Sequence, residues 1–271
     1  MRLIKKNHAE FNSEAGTHGH APLVMAHGLM GFSRIHLGPW TLAAYFRGIP
    51  EYLNQLGFRV LVTRVHPTGG IERRARKLAE QIEAAFPGES VHLVGHSMGG
   101  LDARQLLREP GWSDRVLSLV TVGTPHLGSL LAERFSPRFK PIAVTFKAIP
   151  WDFQGFSDVL PQKARRWHED HPAPEQIPCY AVAGNPTLQQ VCWPLKRLHK
   201  ELEVLDGPND GLVSQQSALA FGQPLLTTPL DHFRQMNWFT RGHSAQLWPE
   251  IRNLYRQIAE KISCHDPIDQ A

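Results

Sequence analysis

The 271-residue sequence predicts an α/β fold, a mostly parallel central sheet with helices on both faces. Two observations carry this expectation. Short β-rich apolar runs alternate with amphipathic helical runs over short connections, the pattern that builds parallel strands through helical crossovers. Three glycine-bearing turns, at 28–31, 95–100 and 123–128, each follow an apolar run directly. All three therefore fall at the carboxyl edge of the sheet, where such sheets bind ligands.

Taken in order, residues 1 to about 20 are polar and read as a solvated arm, with His18-Gly19-His20 too short for a metal site. Pro22–Ala26 is a compact apolar strand that runs into His27-Gly28-Leu29-Met30-Gly31-Phe32. Glycine in such a turn leaves a backbone N–H free to point into a site. Residues 33–50, with Trp40, Tyr45 and Phe46, are expected to form a loop along a substrate channel, or else to be plain core. A helical turn at 51–56 ends at Gly57 as its C-cap. Arg59–Val65 is a strand stopped by His66-Pro67. Ile71–Phe86 is an amphipathic helix with Ala75, Leu78, Ala79, Ile82 and Phe86 inward, and the cluster Arg73-Arg74-Ala75-Arg76-Lys77 reads as a solvated face.

The next strand is Ser90–Val94 and the next helix Met98 to about Arg108, with Leu101, Ala103, Leu106 and Leu107 near helical spacing. Between them lies Gly95-His96-Ser97-Met98-Gly99. Small residues flanking a serine let helix and strand approach closely, which lifts the hydroxyl off the sheet edge toward a base and a carbonyl. Val116–Val122 is another buried strand, followed by Gly123-Thr124-Pro125-His126-Leu127-Gly128. Residues 129–160 then break the alternation with a mixture of aromatics and prolines. They predict a cap or lid over the sheet edge, inserted in a single domain spanning 1–271, with Phe32, Phe146, Trp151 and Phe153 as candidate substrate-binding residues. Ile177–Gly184 restores the sheet; Ser214–Phe221 is a helix, Pro224–Thr228 the last strand and 245–263 the closing helix.

Nucleophilic catalysis by a serine needs a histidine to take its proton and a carboxylate to orient that histidine. Ser97, Asp210 and His232 stand in the chain order Ser, Asp, His that this strand and turn arrangement uses. Asp206 and Asp231 compete with Asp210, and His243 competes with His232. The N–H groups of Leu29 and Met98 are the candidate oxyanion donors. His27, His96 and His126 are expected to shape loops. The net charge of +4 is scattered, which argues against nucleic acid as a partner. Three cysteines, Cys179, Cys192 and Cys264, suit neither a disulfide framework nor a zinc site. Free thiols are favoured over a Cys179–Cys192 bridge. The basic start lacks the apolar stretch of a secretory signal, so the expected location is cytoplasmic, or secreted after removal of a signal.

The stretches His27–Phe32, Gly95–Gly100, Val122–Ser129 and Asn209–Val213 resemble those of bacterial triacylglycerol lipases of the Pseudomonas and Burkholderia type, in the α/β-hydrolase superfamily. The likeness spans residues 22 to about 240. It implies the α/β-hydrolase fold, Ser97, Asp210 and His232 as the triad, and Leu29 and Met98 as the oxyanion hole. The expected activity is hydrolysis of acylglycerols or other medium or long acyl esters through an acyl-enzyme, with transient contact to a lipid surface; the alternatives are acyl transfer or thioester hydrolysis by the same triad, and a non-catalytic binding module on the same scaffold. No cofactor is expected. Many members of the family bind calcium through an aspartate two residues past the histidine; Arg234 stands there, so no metal is expected.

Overall fold

The computed structural model describes residues 10–11, 19–29, 34–37, 40–133, 152–239 and 248–267. Its centre is a seven-stranded sheet in which six strands run parallel: β5 (Val60–Val62), β2 (Leu23–Ala26), β6 (Val91–His96), β7 (Val116–Val122), β8 (Cys179–Gly184) and β9 (Gln223–Thr228). A two-residue strand β1 (Glu10–Phe11) adds antiparallel to β5 at one edge.

Strand side chains alternate between faces, so each strand feeds two cores. Leu23, Met25, Val94, Val120, Val122 and Val182 pack against helices α1 (Ile49–Gln55) and α8 (Trp248–Ser263), through Leu53, Leu254, Tyr255 and Ile258. Val24, Ala26, Leu61, Leu93 and Leu119 face the opposite side. There they meet Leu78 and Ile82 of α2 (Ile71–Ala85) and Ala103 and Leu106 of α3 (Met98–Leu106). Burying a Leu or Ile contributes about 1.5–3 kcal/mol relative to leaving it exposed, so these two layers dominate the stability of the sheet. Further helices among the described residues include α4 (Gln154–Asp158), α5 (Pro161–Asp170), α6 (Lys196–Asp206) and α7 (Gln215–Ala218).

The structure corrects several expectations. The polar arm contributes β1, and His20 stacks on Phe58 while bonding Asp266. The stretch expected as a loop at 33–50 contains two strands, β3 (Arg34–Leu37) and β4 (Trp40–Ala44), paired antiparallel, and α1 begins at Ile49. Tyr45 and Phe46 are core residues. The strand expected over Arg59–Val65 spans only Val60–Val62, and the helix expected over Ser214–Phe221 only Gln215–Ala218. The basic cluster is not uniformly solvated: Arg74 is wholly buried, while Arg73, Arg76 and Lys77 are exposed. Arg74 shares the helix face of Ile71, Ala75 and Leu78, and its charge is met by Asp102 of α3 at 2.8 Å. Cys179 and Cys192 are buried free thiols. No described helix is long and apolar enough to cross a membrane.

Candidate active site

Ser97 sits between β6 and α3 with φ 55° and ψ −131°, a left-handed conformation that costs a non-glycine residue about 1–3 kcal/mol. Close packing holds it there. The Ser97 N–H donates to Val122 O at 2.9 Å, and a side chain at Gly99 would run into the Ala26 carbonyl, so only glycine lets α3 come this near β2. The strained turn places Ser97 on the wall of a cavity of about 770 Å³.

The carboxylate and imidazole are joined. Asp210 Oδ2 lies 2.8 Å from His232 Nδ1 and accepts from Gln235 Nε2 at 3.2 Å, while Oδ1 accepts from the N–H groups of Leu212 and Val213 at 3.0 and 2.8 Å. The His232 N–H donates back to Asp210 O at 2.9 Å, so backbone and side chain both fix the pair. With Asp210 accepting at Nδ1–H, the other ring nitrogen of His232 is left as the base. His232 lines the same cavity as Ser97. No hydrogen bond joins the Ser97 hydroxyl to the ring; such bonds often form only when a substrate closes the geometry. A side chain at Gly123, whose predecessor Val122 holds the Ser97 amide, would run into Gln235 Oε1 and Asp210 Oδ2 and crowd His232 Nδ1.

The competitors go elsewhere. Asp231 accepts from the N–H groups of Cys192, Phe233 and Arg234 and so organises the turn that carries His232. Asp206 is the last residue of α6, and His243 lies outside the described residues. A calcium site of the kind the resemblance suggests does not fit this turn, because the Arg234 guanidinium lies 3.5 Å from the Asp231 carboxylate. Among the described residues no group of three His, Cys, Asp or Glu side chains is placed to hold a metal.

Leu29 and Met98 also line the cavity, and among the described residues neither main-chain N–H has an acceptor. The turn carrying Leu29 is held by groups that sequence reasoning missed. The Gly28 N–H donates to Tyr45 Oη at 2.9 Å, and Tyr45 Oη lies 2.8 Å from His96 Nδ1. From beneath, Arg74 donates to His27 O and His66 O, each at 2.6 Å, while its Nε bridges both Asp102 oxygens at 3.0 and 2.9 Å. Burial pushes the Asp102 carboxyl up to about 6 although Arg74 pulls it down. The helical phase of Arg74 with Ile71 and Leu78 was the signal that could have revealed it. Three histidines around the site are kept neutral by burial: His27 falls to about 3, and His96 and His126 fall well below the ordinary imidazole range, with Arg74 adding to the effect at His27 and Arg104 at His126.

Of the candidate substrate residues, Phe153 lines the cavity, whereas Phe32, Phe146 and Trp151 lie outside the described residues, as does 134–151 of the expected cap. The cavity wall is otherwise apolar: Leu131, Phe156, Val159, Leu160, Phe233 and Trp238 all contribute to it.

The comparisons agree with this architecture. The family model described as alpha/beta hydrolase fold matches residues 21–171. The chain is 29% identical over 241 residues to triacylglycerol lipase 2 of Saccharomyces cerevisiae, covering 81% of this chain and 73% of that protein. It is 27% identical over 289 residues to a triacylglycerol lipase of Pseudomonas fragi, covering 89% and 95%. Among solved structures, Staphylococcus hyicus lipase superposes with a TM-score of 0.70 at 17% identity, covering 90% of this chain and 95% of that one. The mature Bacillus licheniformis lipase BlEst2 gives 0.67 at 22%, with the same coverage.

Proposed function

Because the chain belongs to the alpha/beta hydrolase fold family, we infer that it is a lipase-like serine ester hydrolase with Ser97, His232 and Asp210 as its triad. The carrying observation is the strained Ser97 opening onto the same apolar cavity as an imidazole already locked to a carboxylate. Ser97 Oγ attacks the ester carbonyl while His232 Nε2 takes its proton. Asp210 keeps the Nδ1–H in place and stabilises the imidazolium that forms. The Leu29 and Met98 N–H groups receive the developing oxyanion at the start of α3, where the helix dipole also favours negative charge. Collapse expels the alcohol, protonated by His232; water activated by the same histidine then releases the acid from Ser97.

The acyl chain is assigned to the apolar cavity, whose volume of about 770 Å³ suits medium or long chains better than acetyl. The described ends of the expected cap, 129–133 and 152–160, close over the acyl chain, with Leu131, Phe153 and Phe156 in the cavity wall. The named activity of the yeast and Pseudomonas fragi relatives supports acylglycerols as the substrate class. The test is a chain-length profile from p-nitrophenyl acetate to palmitate and on triglyceride emulsions, run beside Ser97→Ala. The expected result is a maximum at eight carbons or more and no turnover by Ser97→Ala; activity confined to acetate and butyrate would overturn the acyl assignment.

A further inference from the structure

His96 stands immediately before Ser97 at the end of β6, and its wholly buried ring packs against the ring of His232, with 4.6 Å between centroids. The catalytic steps above make no use of it. Tyr45 Oη accepts from the Gly28 N–H at 2.9 Å and lies 2.8 Å from His96 Nδ1. A phenol has one proton to give, and among the described residues His96 Nδ1 is the acceptor placed to take it. Nδ1 therefore accepts, and the proton of the neutral ring stands on Nε2. Burial keeps the ring neutral, holding it well below the ordinary imidazole range.

The other nitrogen of the ring belongs with the turn that carries His232. Gln235 of that turn is wholly buried; its backbone N–H donates to Asp231 O at 3.0 Å, and its Nε2 donates to Asp210 Oδ2 at 3.2 Å and to Leu230 O at 3.3 Å. Both amide protons are thus engaged, and Oε1 can only accept. His96 Nε2 and Gln235 Oε1 are each buried and without a hydrogen-bond partner among the described residues. The Gln235 side chain and the His232 backbone come close enough to the His96 ring to act on it, though neither meets Nε2 in hydrogen-bond geometry. An orphan donor and an orphan acceptor side by side in a dry place are costly, and a small shift of either side chain pairs them.

We propose that His96 is a positioning residue for the ester hydrolysis inferred above: its Nδ1 takes the Tyr45 hydroxyl that holds the oxyanion turn, and its Nε2–H closes on Gln235 Oε1 while Gln235 holds Asp210. Every donor then points the same way, from the Gly28 N–H through Tyr45, His96 and Gln235 to the Asp210 carboxylate, and bonds aligned in this sense polarise one another. The oxyanion donors and the carboxylate are thereby held at a fixed spacing around Ser97, so a displacement at one end is felt at the other. The inference rests on the ester-hydrolase reading. It adds no group that touches the substrate, since neither His96 nor Gln235 lines the cavity.

Steady-state hydrolysis of p-nitrophenyl octanoate by the full chain, expressed per Ser97 titrated with a fluorophosphonate, tests it in Tyr45→Phe, Gln235→Met and the double variant. Each single variant is expected to lower kcat about tenfold with KM within about twofold. The double variant lowers kcat about tenfold to twentyfold, since the line of hydrogen bonds is already cut. Independent packing effects multiply to about a hundredfold, and that result overturns the proposal, as does an unchanged kcat in Gln235→Met. His96→Asn keeps an acceptor for Tyr45 but is too short to reach Gln235. It should lower kcat about tenfold, and adding Gln235→Met to it should cost less than about twofold more; a further tenfold loss overturns the proposal. Should Gln235→Met fail to fold, Gln235→Glu, which keeps the size of the side chain but sets a like charge against Asp210, takes its place in the same cycle with the same criteria. Turnover surviving in Ser97→Ala overturns the ester-hydrolase reading and this inference with it, whereas multiplying effects beside an inactive Ser97→Ala overturn the inference alone.

Discussion

Replacing Arg74 by Met removes a charge from the most enclosed part of the scaffold while keeping an apolar stem of similar reach. The wild-type guanidinium is wholly buried and meets Asp102 at 2.8 Å together with the carbonyls of His27 and His66. Breaking one side of a buried ion pair costs about 3–5 kcal/mol, because the partner is stranded. For a chain of this size that lowers Tm by on the order of 10 °C. The loss depends on pH in a defined direction. Asp102 sits at about 6 in the folded protein against an ordinary 3.8, and removing Arg74 removes a pull that holds it down. A carboxyl raised on folding resists ionisation, so the deficit of Arg74→Met is smallest near pH 4 and grows as pH rises to 7. Adding Asp102→Leu removes the stranded charge and restores most of the stability, giving a coupling energy of at least about 2 kcal/mol in the double-mutant cycle. Urea unfolding of the four proteins at pH 4.5 and 7 measures this. A single-variant cost under about 1 kcal/mol, or a double variant no more stable than Arg74→Met, refutes the reasoning.

Tyr45→Phe leaves the Gly28 N–H without its acceptor beside the proposed oxyanion donor. Steady-state kinetics is expected to show kcat down about tenfold with KM little changed, from the ~1–3 kcal/mol cost of an unmet buried donor; equal kcat contradicts this. Gly28→Ala places a methyl 2.7 Å from Ser97 Cβ and 2.8 Å from Tyr45 Oη, so ester turnover should fall at least a hundredfold while circular dichroism stays native. Acid unfolding reports the buried histidines. His27 drops from 6.5 to about 3 on folding, so its contribution is complete above pH 6.5 and is lost as pH falls toward 3. At about 1.4 kcal/mol per unit, this one ring accounts for up to about 5 kcal/mol of acid lability. His27→Gln should flatten the stability profile between pH 6 and 4, and an unchanged slope would show that another group dominates.

The sheet was legible because its strands carry continuous apolar runs, as two-faced burial requires: Leu23–Ala26 is buried throughout and so is Val91–His96. The elbow was legible for a related reason, since its glycines are dictated by backbone approach that leaves no choice of residue. The pairing of Asp210 with His232 also emerged from turn position and chain order. What escaped was set by tertiary contact. Arg74 reads as one of four basic side chains on a polar surface, and only the partner Asp102, 28 positions away, makes its burial tolerable. Glu10 and Phe11 carry no strand signal of their own and pair because β5 offers an open edge. Strands β3 and β4 flank Gly38-Pro39, a turn signal that the surrounding aromatics obscured. Tyr45 looked like core, and it is; its hydroxyl acquires a role only because Gly28, in the turn after β2, and His96, at the end of β6, converge on it.

Intact-mass measurement after treatment with a fluorophosphonate ester bears most directly on the triad. The wild-type chain should gain one adduct, mapped by peptide digestion to Ser97, while Ser97→Ala gains none and His232→Ala reacts slower by on the order of 10³. An adduct on another residue, or labelling of His232→Ala at the wild-type rate, would contradict the assignment of this serine and this histidine.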